Sequence, residues 1–160
     1  MKKLYYVIAV LLLIGSTQVF AQGTKPVQVA LLNPVQIFSE DTSIEGFRLN
    51  VLYGVNANLI GLDFGLGNGI KGKVEGAQLG FVNYVEGNVL GCQLSAANFT
   101  RTNFTGFQSG FYNYAVKMKG FQLGLVNQAG SLEGLQIGLV NINERKDPFY
   151  ILPIVNWSFK

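Results

Sequence analysis

Few residues in this 160-residue chain could carry chemistry. Histidine is absent, so neither a Ser-His-Asp triad nor a Cys-His pair can be built, and a zinc site would lack its commonest ligand. The single cysteine, Cys92, stands where the equivalent segments carry an apolar residue, which is typical of a small packed side chain and not of a nucleophile. The composition therefore predicts that the protein is not an enzyme, with no catalytic residue, no cofactor and no bound metal.

The stretch GNGIKG, with Gly67, Gly69 and Gly72, has the glycine spacing of a phosphate-binding loop. Such a loop must open a helix, because the phosphate binds the free amide groups at the helix N-terminus. Here the stretch is followed by another strand-like segment. We therefore interpret it as a glycine-rich turn.

A repeated eight-residue word organises the chain from Gly46 onwards. The copies begin at residues 46, 61, 76, 91, 106, 120 and 134, and the last two read GFQLGLVN and GLQIGLVN. Apolar residues alternate with Gly and Gln inside the word, as Leu135 and Ile137 do with Gln136, and a period of two predicts a β-strand. The sequence thus predicts an all-β protein built from 14–15-residue repeats.

Two arrangements could stack such repeats, an antiparallel meander or a β-solenoid with one coil per repeat. The word is nearly palindromic about its fourth residue, and the pairs Lys71-Gly72 and Glu86-Gly87 suit two-residue hairpin turns. Both features favour the meander, which would pair Leu79 with Leu94 and Gln78 with Ser95, and which would close as an up-and-down barrel of about eight strands. The β-solenoid, in which each residue stacks on its own copy, is the alternative.

The third position of the word forms the candidate interaction face. It is Gln in the five later copies and a charged residue in the first two, where an ion pair is plausible. In a barrel this face lines the lumen, whereas in a soluble repeat protein it faces water. The candidate residues are Arg48, Asp63, Gln78, Gln93, Gln108, Gln122 and Gln136.

The N-terminus has the features of a secretory signal peptide. Two lysines precede an apolar run from Leu4 to Gly15, and Val19 and Ala21 provide small residues before a cleavage site after Ala21. The run is shorter than the roughly 20 residues that a membrane helix needs. We predict a signal peptide at 1–21, an N-terminal extension or edge segment at 22–45 and a β-repeat domain at 46–160.

Charge and aromatic content narrow the expected partners. Without Lys2 and Lys3 the formal net charge falls from +3 to +1, and the remaining basic residues are spread singly, so we expect no nucleic-acid binding. Trp157 and Phe159 suit a membrane interface. Outer-membrane lipid or other envelope components are therefore the expected partners, and the sequence identifies no protein partner.

The words GFQLGLVN and GLQIGLVN, the earlier segment GFRLNVLYGVN and the ending LPIVNWSF together resemble a family of exported surface-repeat proteins from leptospires and other bacteria with two membranes. The resemblance spans Val27 to Phe159. It implies an exported protein of the outer membrane or cell surface with no established activity. The expected role is structural or one of interaction; the alternative is a soluble periplasmic or surface binding module that uses an exposed Gln/Gly face.

Overall fold

The computed structural model describes residues 23–159, so the expected signal peptide lies outside the described residues. This part of the chain contains strands and no helix. The strands are β1 (Lys25–Leu32), β2 (Val35–Gln36), β3 (Ile44–Asn56), β4 (Leu59–Ile70), β5 (Val74–Val85), β6 (Val89–Leu94), β7 (Ala97–Asn143) and β8 (Ile151–Ser158). They form an all-β solenoid of about six turns, which confirms the predicted all-β class.

Successive repeats run parallel, so the predicted antiparallel meander and its closure into a barrel were wrong, and the β-solenoid alternative is confirmed. Leu79 does lie beside Leu94, as the meander also required. Gln78, however, pairs with Gln93 and not with Ser95. Each residue therefore stacks on its own copy in the next coil.

The first glycine of the word explains why the repeats stack in this direction. At all seven copies this glycine has a positive φ, between 127° and 145°, which L side chains rarely adopt. A Cβ added at Gly76 would overlap the carbonyl oxygen of Gly61 in the preceding coil. The coils approach this closely because glycine stacks on glycine, and parallel in-register stacking places one on the next.

Each coil consists of two extended segments that face each other across the interior. Gln108 donates from its side-chain amide to the backbone carbonyl of Tyr114, 3.3 Å away in the same coil, and Gln136 reaches the carbonyl of Ile142 at 3.2 Å. The chain therefore turns inside the word as well as between words. We call the fifth and sixth positions of each word the word edge, and the residues between words (57–60, 71–75, 86–90, 101–105, 116–119 and 130–133) the link edge.

β7 is long because its backbone stays extended through several turns. Gln108, Gln122 and Gln136 all belong to β7, yet their side chains are hydrogen-bonded to one another in sequence. β7 therefore winds through successive coils and is not a single straight strand.

The apolar core lies inside the solenoid towards the link edge. Large and small residues are combined within one coil: Phe104 shares a coil with Ala115, and Met118 shares one with Ala129. This combination keeps the filled volume similar from coil to coil, as close packing requires. The cluster consists of Ile44, Leu59, Ile70, Val74, Val85, Val89, Phe104, Ala115, Met118, Ala129 and Leu132.

Strands outside the repeat cover both ends of the stack. The segment predicted as an N-terminal extension supplies β1, which pairs in parallel with β3, and the short β2, which pairs antiparallel with β1. Gln28 in β1 lies beside Arg48 and continues the third-position column. At the other end β8 pairs antiparallel with the last coil, with Gln136 beside Asn156.

Candidate interaction surface

The residues predicted as an interaction face lie in the solenoid interior, where none of their surface is exposed. The glutamines form a ladder along the axis, because each side-chain amide nitrogen donates to the Oε1 atom of the glutamine in the preceding coil. The ladder runs through Gln136, Gln122, Gln108, Gln93 and Gln78 with donor–acceptor distances of 2.7–2.9 Å. These side chains bind one another and do not face a ligand outside the solenoid.

The ladder ends on the buried ion pair of Arg48 and Asp63. The carboxylate of Asp63 accepts hydrogen bonds from Arg48 at 2.8 Å, from Gln78 at 2.9 Å and from Asn50 at 2.9 Å. Burial raises the pKa of Asp63 and lowers the pKa of Arg48, and the attraction between the two charges opposes both shifts. The sequence made this pair plausible, and the structure brings both residues into direct contact.

A second ladder of asparagines, which the sequence reasoning missed, runs in the opposite direction. Each side-chain amide nitrogen donates to the Oδ1 atom of the asparagine in the following coil, at 2.7–2.9 Å, from Asn50 through Asn68, Asn83, Asn98, Asn113 and Asn127 to Asn141. In the first copy the eighth residue is Tyr53, and Asn50 at the fifth position provides the missing amide. The repeated Asn at the eighth position was the signal that could have revealed this ladder.

The side chains that do reach the surface of the coils are mainly apolar. The sixth positions of the words form a row along the word edge, with Leu66 56% exposed, Phe81 63%, Phe111 68% and Leu139 68%. Large contiguous patches of exposed apolar surface mark sites of interaction with proteins, membranes or ligands. The word edge is therefore the candidate functional surface.

Both flanks next to the word edge carry aromatic side chains. On one flank Phe107 stacks on Phe121, with ring centroids 5.6 Å apart. On the other flank Phe99 contacts Tyr84 and Tyr112, at 6.5 and 5.5 Å between centroids. Aromatic side chains thus lie on both sides of the apolar row, and the second flank also contains Gln128, which accepts a 2.7 Å hydrogen bond from the hydroxyl of Tyr112.

Charged side chains are confined to the opposite side. Between residues 46 and 143, apart from the buried Arg48–Asp63 pair, every charged residue belongs to the link edge: Lys71, Lys73, Glu75, Glu86, Arg101, Lys117, Lys119 and Glu133. Several are paired with one another, as Lys73 is with Glu75 at 2.9 Å and Lys119 with Glu133 at 2.7 Å. The cross-section of the solenoid is therefore amphipathic, with one charged edge and one apolar edge.

One coil interrupts the apolar row. Its word carries Ser95 and Ala96 where the neighbouring words carry Gly80-Phe81 and Gly110-Phe111. The missing large side chain leaves an open depression of about 580 Å³ between Phe81 and Phe111, with a mainly apolar lining.

Within residues 23–159 we find no group of three or more His, Cys, Asp or Glu side chains that could hold a metal ion. The same part of the chain contains no helix of the length and apolarity needed to cross a membrane. Cys92 is a half-buried free thiol. Comparison of the chain with protein-family models, with curated proteins and with solved structures finds no match.

Proposed function

We propose that this chain is an exported β-solenoid protein of the cell envelope, at the outer membrane or cell surface, with a structural or interaction role and no enzymatic activity. The observation that carries the proposal is the apolar word edge, together with the restriction of surface charge to the link edge within residues 46–143. An apolar surface that runs the length of the coils favours a protein that works in contact with a partner. The signal-like residues 1–21 support export.

The hydrogen bonds inside the solenoid support a structural role for the buried polar residues. Asp63 already accepts three hydrogen bonds, and Arg48, its ion-pair partner, is fully buried. A buried carboxylate whose hydrogen bonds are all made to its own chain in this way serves the stability of the fold. The alternative of a soluble module that binds through a Gln/Gly face draws no support from glutamines that lie inside the coils.

Fractionation of producing cells tests the proposal. The full chain is expressed in a bacterium with two membranes, and the envelope is washed with carbonate to remove loosely held protein. We expect the chain in the washed envelope with its N-terminus at Gln22, read by mass spectrometry. An Ala21→Arg variant, which removes the small residue at the cleavage site, serves as the control and should remain unprocessed.

Two outcomes of this experiment would contradict the proposal. A chain that begins at Met1 and stays in the cytosol would remove the export argument. An exported chain that is released completely by the wash would favour the soluble periplasmic or surface module.

A further inference from the structure

We infer that the word edge docks on a lipid bilayer, with the apolar row in the acyl region and the link edge in water. The large apolar residues of the row are Val51, Leu66, Phe81, Phe111, Leu125 and Leu139. The inference rests on the proposed envelope location and adds to it the partner and the orientation of the solenoid.

The distribution of charge determines this orientation. From the second to the ninth position of every word-containing coil, the only charged side chains are Arg48 and Asp63, which are buried and paired. The word edge and the flank of Phe107 and Phe121 can therefore leave water without the desolvation of a charge, whereas on the other flank Gln128 donates to the carboxylate of Glu144 at 2.7 Å. The charged link edge, by contrast, has to stay hydrated.

At the turn of Ser95 and Ala96 the backbone polar groups of the word edge are hydrogen-bonded, which suits an apolar environment. The amide of Ser95 donates to the carbonyl of Ser109 at 3.0 Å, and the amide of Tyr112 donates to the carbonyl of Ala96 at 3.0 Å. The hydroxyl of Ser95 donates to the carbonyl of Ala97 at 2.6 Å. Hydrogen bonds between coils and within one coil thus satisfy polar groups at this turn that would be costly to bury unpaired.

A bilayer fits this surface better than a second copy of the chain does. The row is uneven, because Ala96 leaves a depression between Phe81 and Phe111. Fluid acyl chains can fill the depression, whereas a rigid flat surface would bridge it and leave it empty. We therefore commit to the bilayer, and self-association becomes an outcome of the test.

The word edge carries no basic residue, so attraction to anionic lipid does not contribute to docking. Docking should therefore occur on vesicles of zwitterionic phosphatidylcholine. It should also be insensitive to salt, because salt screens only charge interactions.

Vesicle flotation of the exported protein, purified in detergent and freed of it in the presence of phosphatidylcholine vesicles, tests the inference. Leu66 and Leu90 form a matched pair, 56% and 57% exposed, on the word edge and the link edge respectively. We expect Leu66→Ser to lower the vesicle partition coefficient by about fivefold and Leu90→Ser by less than about twofold. Any contribution of the N-terminal residues to the partition coefficient is the same in both variants, so it cancels when the two are compared.

A gain-of-binding variant completes the test. Ala96→Leu adds apolar surface to the row, and we expect it to raise the partition coefficient by about twofold or more. A decrease would overturn the inference, because it would indicate a ligand that needs the depression empty. Circular dichroism should show unchanged β-structure for all three variants, since each replaces a side chain at the surface.

Three further results would overturn bilayer docking. These are wild-type protein that stays at the bottom of the gradient, equal losses for Leu66→Ser and Leu90→Ser, and a lipid-free dimer, measured by light scattering, that Leu66→Ser dissociates. Each result leaves the envelope fractionation intact, because a protein partner could still hold the chain in the envelope. Failure of the inference and failure of the proposed function can therefore be told apart.

Discussion

The guanidinium group of Arg48 donates a 2.8 Å hydrogen bond to the carboxylate of Asp63 in the next coil, and both side chains are fully buried. Because an ionised carboxylate only accepts hydrogen bonds, Asp63 requires the amide nitrogen of Gln78 to point towards it. Asn50 also donates to Asp63 and accepts from Arg48, at 3.4 Å, so its amide orientation is fixed as well. One ion pair therefore sets the opposite directions of the two amide ladders.

A double-mutant cycle on this pair should show strong coupling. Arg48→Gln or Asp63→Gln alone leaves a buried charge without its partner, and we expect each to lower the free energy of unfolding by about 3–5 kcal/mol. The double variant extends the glutamine ladder by two coils, so its loss should be well below the sum of the single losses. Urea unfolding measures all four proteins. Additive losses would show that the pair does not act as a unit.

The glutamine ladder should be more sensitive in its middle than at its end. Gln108 both donates to Gln93 and accepts from Gln122, so Gln108→Leu leaves buried amide groups unpaired, and we expect a loss of about 2–4 kcal/mol. The Oε1 atom of Gln136 accepts no hydrogen bond from the described residues, so Gln136→Leu should cost less. Thermal unfolding compares the two variants. Equal losses would contradict the account of the ladder as a chain of shared hydrogen bonds.

The sequence was sufficient to predict the strand content, the repeat and the 14–15-residue spacing, but not the direction of the strands. A nearly palindromic word places Leu79 beside Leu94 in both the parallel and the antiparallel arrangement, so side-chain pairing cannot distinguish them. The distinction comes from a backbone contact, the stacking of Gly76 on Gly61, which an apolar–polar pattern does not report.

The candidate surface was missed for a related reason. Alternation continues without interruption through Leu135, Ile137 and Leu139, so the sequence favoured one flat face, whereas the chain turns at Gly138 and moves Leu139 to the word edge. The position of the charges between words, by contrast, could be predicted from the sequence. The amphipathic cross-section that these charges produce could not be predicted, because it depends on the turn inside the word.

The stacked first glycines of the words should tolerate no side chain. Gly76→Ala combines a φ of 142° with an overlap on the carbonyl oxygen of Gly61, and we expect it to lower the free energy of unfolding by at least about 2 kcal/mol. Gly23→Ala is the matched control, because a Cβ added there meets no atom within 4 Å. Chemical denaturation of both variants checks the difference. A Gly76→Ala protein as stable as the control would contradict the stacking argument.

The segment between β2 and β3 should loosen in acid. Hydrogen bonds from Lys71, at 2.9 Å, and from Asn33, at 3.0 Å, hold the pKa of Glu40 below its ordinary value of 4.5. Because the folded pKa is lowered, the stabilising contribution of Glu40 is present above pH 4.5 and is lost as the pH falls through the folded pKa.

Hydrogen exchange of residues 37–43, corrected for its intrinsic pH dependence, measures this loosening. We expect exchange in the wild-type protein to become faster as the pH falls through the lowered pKa of Glu40, since protonation weakens the contact with Lys71. Glu40→Gln should exchange faster at neutral pH and should respond less to acid. An identical acid response in both proteins would assign the effect to another group.

The two end strands also determine how far the stack can grow. A bare end of a parallel solenoid presents a row of unpaired amide and carbonyl groups, on which a further chain could add and start a filament. Here β1 at one end and the antiparallel β8 at the other pair with the first and last coils, and neither strand carries the repeated word. The seven words therefore define a rod of set length, about 34 Å at the usual spacing between strands.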